Sequence, residues 1–349
     1  MVSITRNFRY FTRKLDQNLT HKTQLMNNEL SKKPLVTVVI CSYNRAHTIS
    51  KTIDSVLNQI CSFPIEIIIG DDGSTDNSEA LLLDYQRKHP DIIQLKFHEK
   101  NLGLGGNWAT LVHLAKGKYI ASCDDDDYWH NPNKLQMQVD FLEKNTTVGL
   151  VHTDYRTYDV NSKNIKEVKI QNPPYDNLTQ AIFSGNYRIL VSSVMLRAEL
   201  FEKHVNFEDY IRLRFPIQDW PTWIILSRQT SFQHLDISTV TYSIGSESIT
   251  TIRDYDKAIK RFENEKKMYL YLCNKFPVDL PYDEKSYDIY VNTVLTNIAY
   301  KNFDYLAARK FAKEVIKLGY NNKKINYALN PVTFYLFCIL SKTKELFRK

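Results

Sequence analysis

The chain has 349 residues, 43% hydrophobic and 24% charged, and a formal net charge of +7. Those values exclude disordered, fibrous and disulfide-scaffold proteins, and describe a globular chain long enough for one large domain with an appendage. The basic excess suits phosphate-bearing ligands or an anionic membrane surface and is too diffuse to argue for nucleic acid.

Residues 1–33 are polar and basic, with Phe8, Tyr10 and Phe11 interspersed, and read as a frayed basic leader or a surface-seeking amphipathic segment, without the apolar core of a secretory signal. No apolar stretch reaches the ~18 residues that span a bilayer. Cys41, Cys61, Cys123, Cys273 and Cys338 form no C-x-x-C pair, so free thiols in a reducing, cytoplasmic setting are expected. From Leu35 to Cys41 runs a nearly continuous β-branched strand of the kind buried on both faces of a parallel sheet. After the loop Ser42-Tyr43-Asn44-Arg45, apolar residues from Ile49 to Ile60 recur at helical spacing. A second strand, Ile65 to Ile69, ends in Gly70-Asp71-Asp72-Gly73, and Asp76 with Glu79 has capping-box spacing for a helix reaching about Lys88. A third strand (Ile92–Phe97), a helix from Trp108 to Lys116 and a fourth strand (Tyr119–Cys123) follow. That last strand runs into Asp124-Asp125-Asp126-Asp127-Tyr128-Trp129, and Asn131-Pro132 then opens a helix to Lys144. Alternating strands and helices predict an α/β fold whose mostly parallel sheet carries helices on both faces.

The stretch 150–250 is less regular: a strand over 191–196, a helix over 220–227 and a strand end over 240–244. Beyond Tyr255 the pattern is helical, with a hairpin of helices over 283–300 and 304–318 closed by Gly319. The apolar run Phe334–Leu340 and its basic tail suit an anionic membrane interface, and equally a helix packed on that hairpin.

Four consecutive carboxylates repel one another and resist burial without compensation. Their oxygen-rich chemistry suits a hard divalent cation such as Mg²⁺ or Mn²⁺. In a parallel sheet the acids after the second and fourth strands lie on one edge, where such sheets place ligands. A nucleotide-sugar needs this arrangement: one carboxylate for base or ribose, another for the metal that neutralises the diphosphate. Transfer of the sugar adds a third, as base toward the acceptor hydroxyl.

Thr37 to Arg45, Ile68 to Asp76, Asn101-Leu-Gly103 and Asp124 to Trp129 together resemble the successive motifs of family 2 glycosyltransferases with the GT-A fold. The resemblance covers roughly residues 34–250. It implies a nucleotide-sugar-binding half over 34–150, an acceptor half over 151–250 and a helical C-terminal region over 251–349. By it, Cys41, Ser42, Tyr43, Arg45, Asn101 and Gly103 belong to the donor pocket, with Tyr43 against the base. Asp72 bonds the base and Asp71 either joins it or secures the loop. The D-x-D element becomes Asp124-x-Asp126, with Asp125 where the family commonly has a small residue, and with Asp126 or Asp127 ligating Mn²⁺ or Mg²⁺. Asp219, before a Trp-rich helix, matches the family's general base, while its position also suits a helix N-cap; Glu208 and Asp209 are weaker candidates. The donor expected is a UDP- or dTDP-sugar, the acceptor a glycan or lipid-linked hydroxyl in cell-surface polysaccharide assembly, reached by inversion. Peripheral membrane contact through the C-terminus and no nucleic acid complete this reading.

Smaller features divide between site and scaffold. Gly103-Leu-Gly105-Gly106 reads as a flexible turn near the donor, and 246–251 as a segment for phosphate or acceptor contacts. Trp129, Trp220 and Trp223 suit sugar faces or the core, and the histidines lack metal-ligand spacing. A haloacid-dehalogenase phosphotransferase would need Asp at Gly70, and a dinucleotide dehydrogenase would need glycines where Cys41-Ser-Tyr-Asn stands. The rival of another class is a catalytically inactive nucleotide-sugar- or glycan-binding module.

Overall fold

The computed structural model describes residues 33–173, 175–245, 255–277, 280, 283–302 and 304–319. The basic leader, the 246–251 segment and the apolar C-terminal run lie outside them. Strand β1 (Val36–Ser42) is buried along its whole length, and its alternation splits the core in two. Val36, Val38 and Ile40 join Ile49, Ile53 and Val56 of α1 (Ile49–Leu57) and Leu82 of α2 (Ser78–Lys88). Val39 and Cys41 face the other way, toward Trp108 and Leu111 of α3 (Leu104–Leu114). Each fully buried aliphatic side chain contributes about 1.5–3 kcal/mol, so this central strand anchors both layers.

β2 (Ile65–Asp71) and β4 (Tyr119–Ser122) flank β1 in parallel, with Ser42 opposite Asp71 and Val39 opposite Ser122. β3 (Ile93–Phe97) extends the parallel half beyond β2. The remaining strands are β5 (Tyr128–Trp129), β6 (Val148–Asp159), β7 (Ile165–Val168), β8 (Met195–Arg197) and β9 (Ser231–Ile244). The order is β3-β2-β1-β4-β8-β6-β9-β5, with β7 on β6. Direction reverses at β8, antiparallel to both β4 and β6, while β6 and β9 pair in parallel. The sheet is therefore parallel through its first half and mixed through its second.

Local differences from the expected elements have identifiable causes. α4 (Lys134–Lys144) begins two residues late, because Asn131 turns back to accept the Asn133 N–H through its side chain. α2 begins at Ser78, whose N–H Asp76 accepts at 3.0 Å. The strand expected over 191–196 is a 3₁₀ turn (Val191–Ser193) followed by β8, and β6 and β9 are far longer than their polar composition suggested.

Helices α5 (Leu178–Phe183), α6 (Ala198–His204), α7 (Phe207–Arg212) and α8 (Asp219–Ser227) cover the second half of the sheet. α9 (Tyr255–Lys275) docks on them: Met268 and Leu272 join the Trp108 core, and Tyr269 stacks with Trp220 and Phe183. α10 (Glu284–Lys301) and α11 (Tyr305–Lys317) form the expected hairpin, their N-termini capped by Asp283 and Asp304 and Ala312 buried at the contact. Gly319 ends it with φ +82°, in the left-handed region that glycine occupies without strain. Among the described residues no helix is long and apolar enough to cross a membrane.

Candidate active site

The carboxyl ends of β1, β2 and β4 open onto one cleft of about 720 Å³. From β1 it receives Cys41, Ser42, Tyr43 and Arg45; from the β2 loop, Asp72; from the turn before α3, Asn101 and Gly103; and from the acidic run, Asp124, Asp125 and Asp126. Its far wall is Asp219 and Gln218 at the start of α8, and the first turns of α9 add Lys257 and Arg261. Asp71 and Asp127 are absent from the lining.

Asp71 is turned into its own loop, where it accepts the Ser74 hydroxyl at 2.5 Å and the Ser74 N–H at 2.9 Å. Asp72 accepts the N–H groups of Leu102 (2.7 Å) and Gly103 (2.9 Å), which pulls the α3 turn against the β2 loop. Burial pushes the Asp72 carboxyl above its usual range despite those two donors. Gly103 has φ +79° and leads into α3; Gly105 and Gly106, expected in a flexible turn, instead form the helix's first turn. A Cβ on Gly105 would stand 2.5 Å from the Phe215 carbonyl oxygen, so glycine lets α3 approach the segment leading to Asp219.

The four aspartates part company. Asp127 is 1% exposed, and its carboxylate accepts the Ser192 hydroxyl at 2.7 Å and the Ser243 N–H at 3.0 Å. Ser192 also accepts the Asp124 N–H at 3.0 Å, so one buried hydroxyl ties both ends of the run. Asp125 accepts the Tyr43 N–H at 3.2 Å and lies 3.4 Å from the Arg45 Nε. Asp126 is the most open, its side chain 31% exposed and 3.9 Å from Arg45. Desolvation raises all four carboxyls. Asp124 is raised further by Asp127, Asp126, Asp125 and Asp219, whereas Asp125 settles at about 7 because Arg45 and the Tyr43 N–H oppose the rise. Among the described residues no group of three or more His, Cys, Asp or Glu side chains stands ready as a complete metal cage.

Asp219 is the first residue of α8; Gln218 holds the N-cap position without a side-chain cap bond. Burial raises the Asp219 carboxyl, the direction a general base working near neutral pH requires. Two buried polar atoms on the cleft, Ser42 Oγ and Gln218 Oε1, find no hydrogen-bond partner among the described residues. Such orphans are costly unless a ligand or water completes them.

Several expectations change here. Trp129 is 3% exposed and donates its indole N–H to the Ser192 carbonyl, so it is core; Trp223 is buried too, and Trp220 clusters with Phe183 and Tyr269. Glu208 and Asp209 do not line the cleft, and Asp209 pairs with Arg212. The sequence reading missed Ser192, Gln218, Lys257 and Arg261. A polar Ser192-Ser193 pair within an apolar run, and a Gln beside the acid candidate, were the available signals.

The fold and the ligand-sized cleft at the carboxyl ends of its parallel strands are those of an α/β protein of the GT-A kind. The architecture matches the crystal structure of S. aureus TarS in complex with UDP-GlcNAc, with a TM-score of 0.52 over 86% of this chain and 88% of that one, at 15% identity. The family model for glycosyl transferase family 2 matches residues 37–205. An Escherichia coli UDP-Glc:alpha-D-GlcNAc-diphosphoundecaprenol beta-1,3-glucosyltransferase is 32% identical over 176 residues, 50% of this chain and 67% of that protein. An uncharacterised Nostoc glycosyltransferase is 37% identical over 172 residues, 48% of this chain and 52% of its own. The chain belongs to glycosyltransferase family 2. It spans half to two thirds of these two relatives and 33% of mycobacterial ones that it also matches.

Proposed function

We propose that this protein moves a sugar from a nucleotide-diphosphate donor to a hydroxyl of a glycan or lipid-linked acceptor, inverting the anomeric carbon in one displacement. One observation carries the reading: a single cleft gathers the β1, β2 and β4 loop ends and Asp219, and presents two buried polar atoms that lack partners among the described residues. The like-charged, desolvated carboxylates facing it fit a hard divalent cation, and one or two protein acids with substrate phosphates make up a common Mg²⁺ or Mn²⁺ site. Asp126, with Asp124 beside it, would hold that ion, which would supply neutralisation of the departing diphosphate. Asp127 is left out because it does not line the cleft and its carboxylate is turned inward to Ser192 and Ser243. Asp72 and Tyr43 hold the nucleoside end, and Ser42 and Gln218 accept donor hydroxyls. Asp219 takes the proton of the acceptor hydroxyl as that oxygen attacks the sugar.

The E. coli relative is named for a UDP-linked donor and a lipid-diphosphate-linked acceptor. We extend the same chemistry to this chain, with assembly of a surface polysaccharide at the cytoplasmic membrane face as its setting. Thermal unfolding against a panel of nucleotide-sugars, with and without Mn²⁺, tests it. A ligand at one hundred times its Kd stabilises the fold by about 2.7 kcal/mol. The expected result is a metal-dependent rise in Tm with one nucleotide class, and sugar transfer from that donor. No rise with any donor, with or without metal, would sink the proposal.

A further inference from the structure

The turn after β1 is held with unusual completeness. Four consecutive backbone N–H groups each donate to a side chain of another segment: Tyr43 to Asp125 (3.2 Å), Asn44 to Ser74 (2.8 Å), Arg45 to Ser78 (3.2 Å) and Ala46 to Asp76 (3.0 Å). Asn44 sits at φ +55°, and its side-chain oxygen accepts the Thr75 N–H at 2.7 Å. Asparagine is one of the few residues besides glycine that enters the left-handed region, and these side-chain acceptors hold the turn there. Three of those four acceptors come from the β2 side. The fourth, Asp125, is the acid standing where the family motif commonly has a small side chain.

Asp125 divides its carboxylate, one oxygen to the Tyr43 N–H and the other toward the Arg45 Nε at 3.4 Å. Both side chains are about 85% buried, with 14% and 15% exposed, and both line the cleft. The Arg45 guanidinium thus lies in ion-pair range of two acids of the run, its Nε beside Asp125 and one far nitrogen 3.9 Å from Asp126. A guanidinium held at one edge meets an oxyanion with less loss of freedom than a mobile one.

We propose that Asp125 is a positioning residue, not a metal ligand: it fixes the Tyr43–Arg45 turn so that Arg45 meets the donor's anionic diphosphate. This inference rests on the transferase reading above. Calorimetric titration of Mn²⁺ alone, then of inorganic pyrophosphate at saturating Mn²⁺, compares the wild-type chain with Asp125→Asn, Arg45→Gln and the double variant. Each single change should weaken pyrophosphate about tenfold, and the double should also lose about tenfold, since both remove one coupled device. Mn²⁺ alone should bind every variant within about twofold of wild type, which a collapsed or ligand-deprived acidic run would not do. Asp125→Ser restores the small side chain and should match Asp125→Asn, which keeps the test available if one variant folds poorly. A hundredfold loss in the double variant, full pyrophosphate affinity in the singles, or lost Mn²⁺ binding in Asp125→Asn overturns the inference alone. A wild-type chain that binds neither probe overturns the transferase reading with it.

Discussion

Ser192→Ala removes a single oxygen on which two ends of the acidic run depend. The Ser192 hydroxyl donates to Asp127 at 2.7 Å and accepts the Asp124 N–H at 3.0 Å, at a residue with no solvent exposure. A hydrogen bond to a charged group contributes about 1.5–3 kcal/mol and a neutral one about 0.5–1.5, so the loss should total about 2–4 kcal/mol. For a chain of this size that lowers Tm by roughly 3–6 °C. The effect has a pH signature. Burial and Asp126 raise the Asp127 carboxyl, while the Ser192 hydroxyl favours its ionised form. The part of the stabilisation owed to that bond is thus present at alkaline pH and lost as pH falls through the folded-state pKa of Asp127. The part owed to the Asp124 N–H is independent of pH. Circular-dichroism melts over a pH series should show a gap between variant and wild type that is largest at alkaline pH and narrows on acidification. A variant within 1 °C of wild type at alkaline pH, or a gap that widens as pH falls, would refute the assignment.

Asp219→Asn should leave nucleotide-sugar binding, measured by calorimetry, within about twofold while transfer falls by about 10²–10⁴, the usual contribution of a positioned base. Asp126→Asn should abolish transfer and the thermal response to Mn²⁺. It should also raise the metal-free Tm slightly, because it removes a like charge that raises its neighbours Asp124, Asp125 and Asp127. Gly105→Ala should cost about 1–3 kcal/mol in denaturant unfolding despite alanine's better helix propensity, since the added carbon would stand 2.5 Å from the Phe215 carbonyl oxygen.

What could be read from the sequence divides along a physical line. β1, β2 and β4 are buried on both faces or nearly so, and such strands announce themselves as apolar runs. β6 is buried only over its first half, and Tyr155 to Asp159 carry polar residues at partial exposure, so no apolar run marks it. Its partner β9 is similarly mixed, and of it only the end over 240–244 was legible, while β6 went unseen. Within the site, the loop acids were legible because they follow apolar strands at the sheet edge where such folds place ligands. Asp71, Asp125 and Asp127 could not be separated from Asp72, Asp124 and Asp126 by composition. What separates them is where Ser74, Tyr43 and Ser192 fall in space, and those contacts span 3, 82 and 65 residues of chain. Lys257 and Arg261 reach the cleft only because α9 folds back over α8.

The partners of Asp127 carry a consequence for how the molecule assembles. Its main-chain oxygen accepts Thr52, 75 residues away, and its carboxylate accepts Ser192 and Ser243, at separations of 65 and 116. Contacts so distant along the chain close late, after the loop entropy between them has been overcome. The carboxylates are therefore gathered only once β1, β4 and β9 are in place, and their repulsion weighs on the finished state more than on the barrier leading to it. Relieving a charge there, as in Asp126→Asn, should slow unfolding and leave the folding rate almost untouched, a low-φ signature readable from the two arms of a chevron.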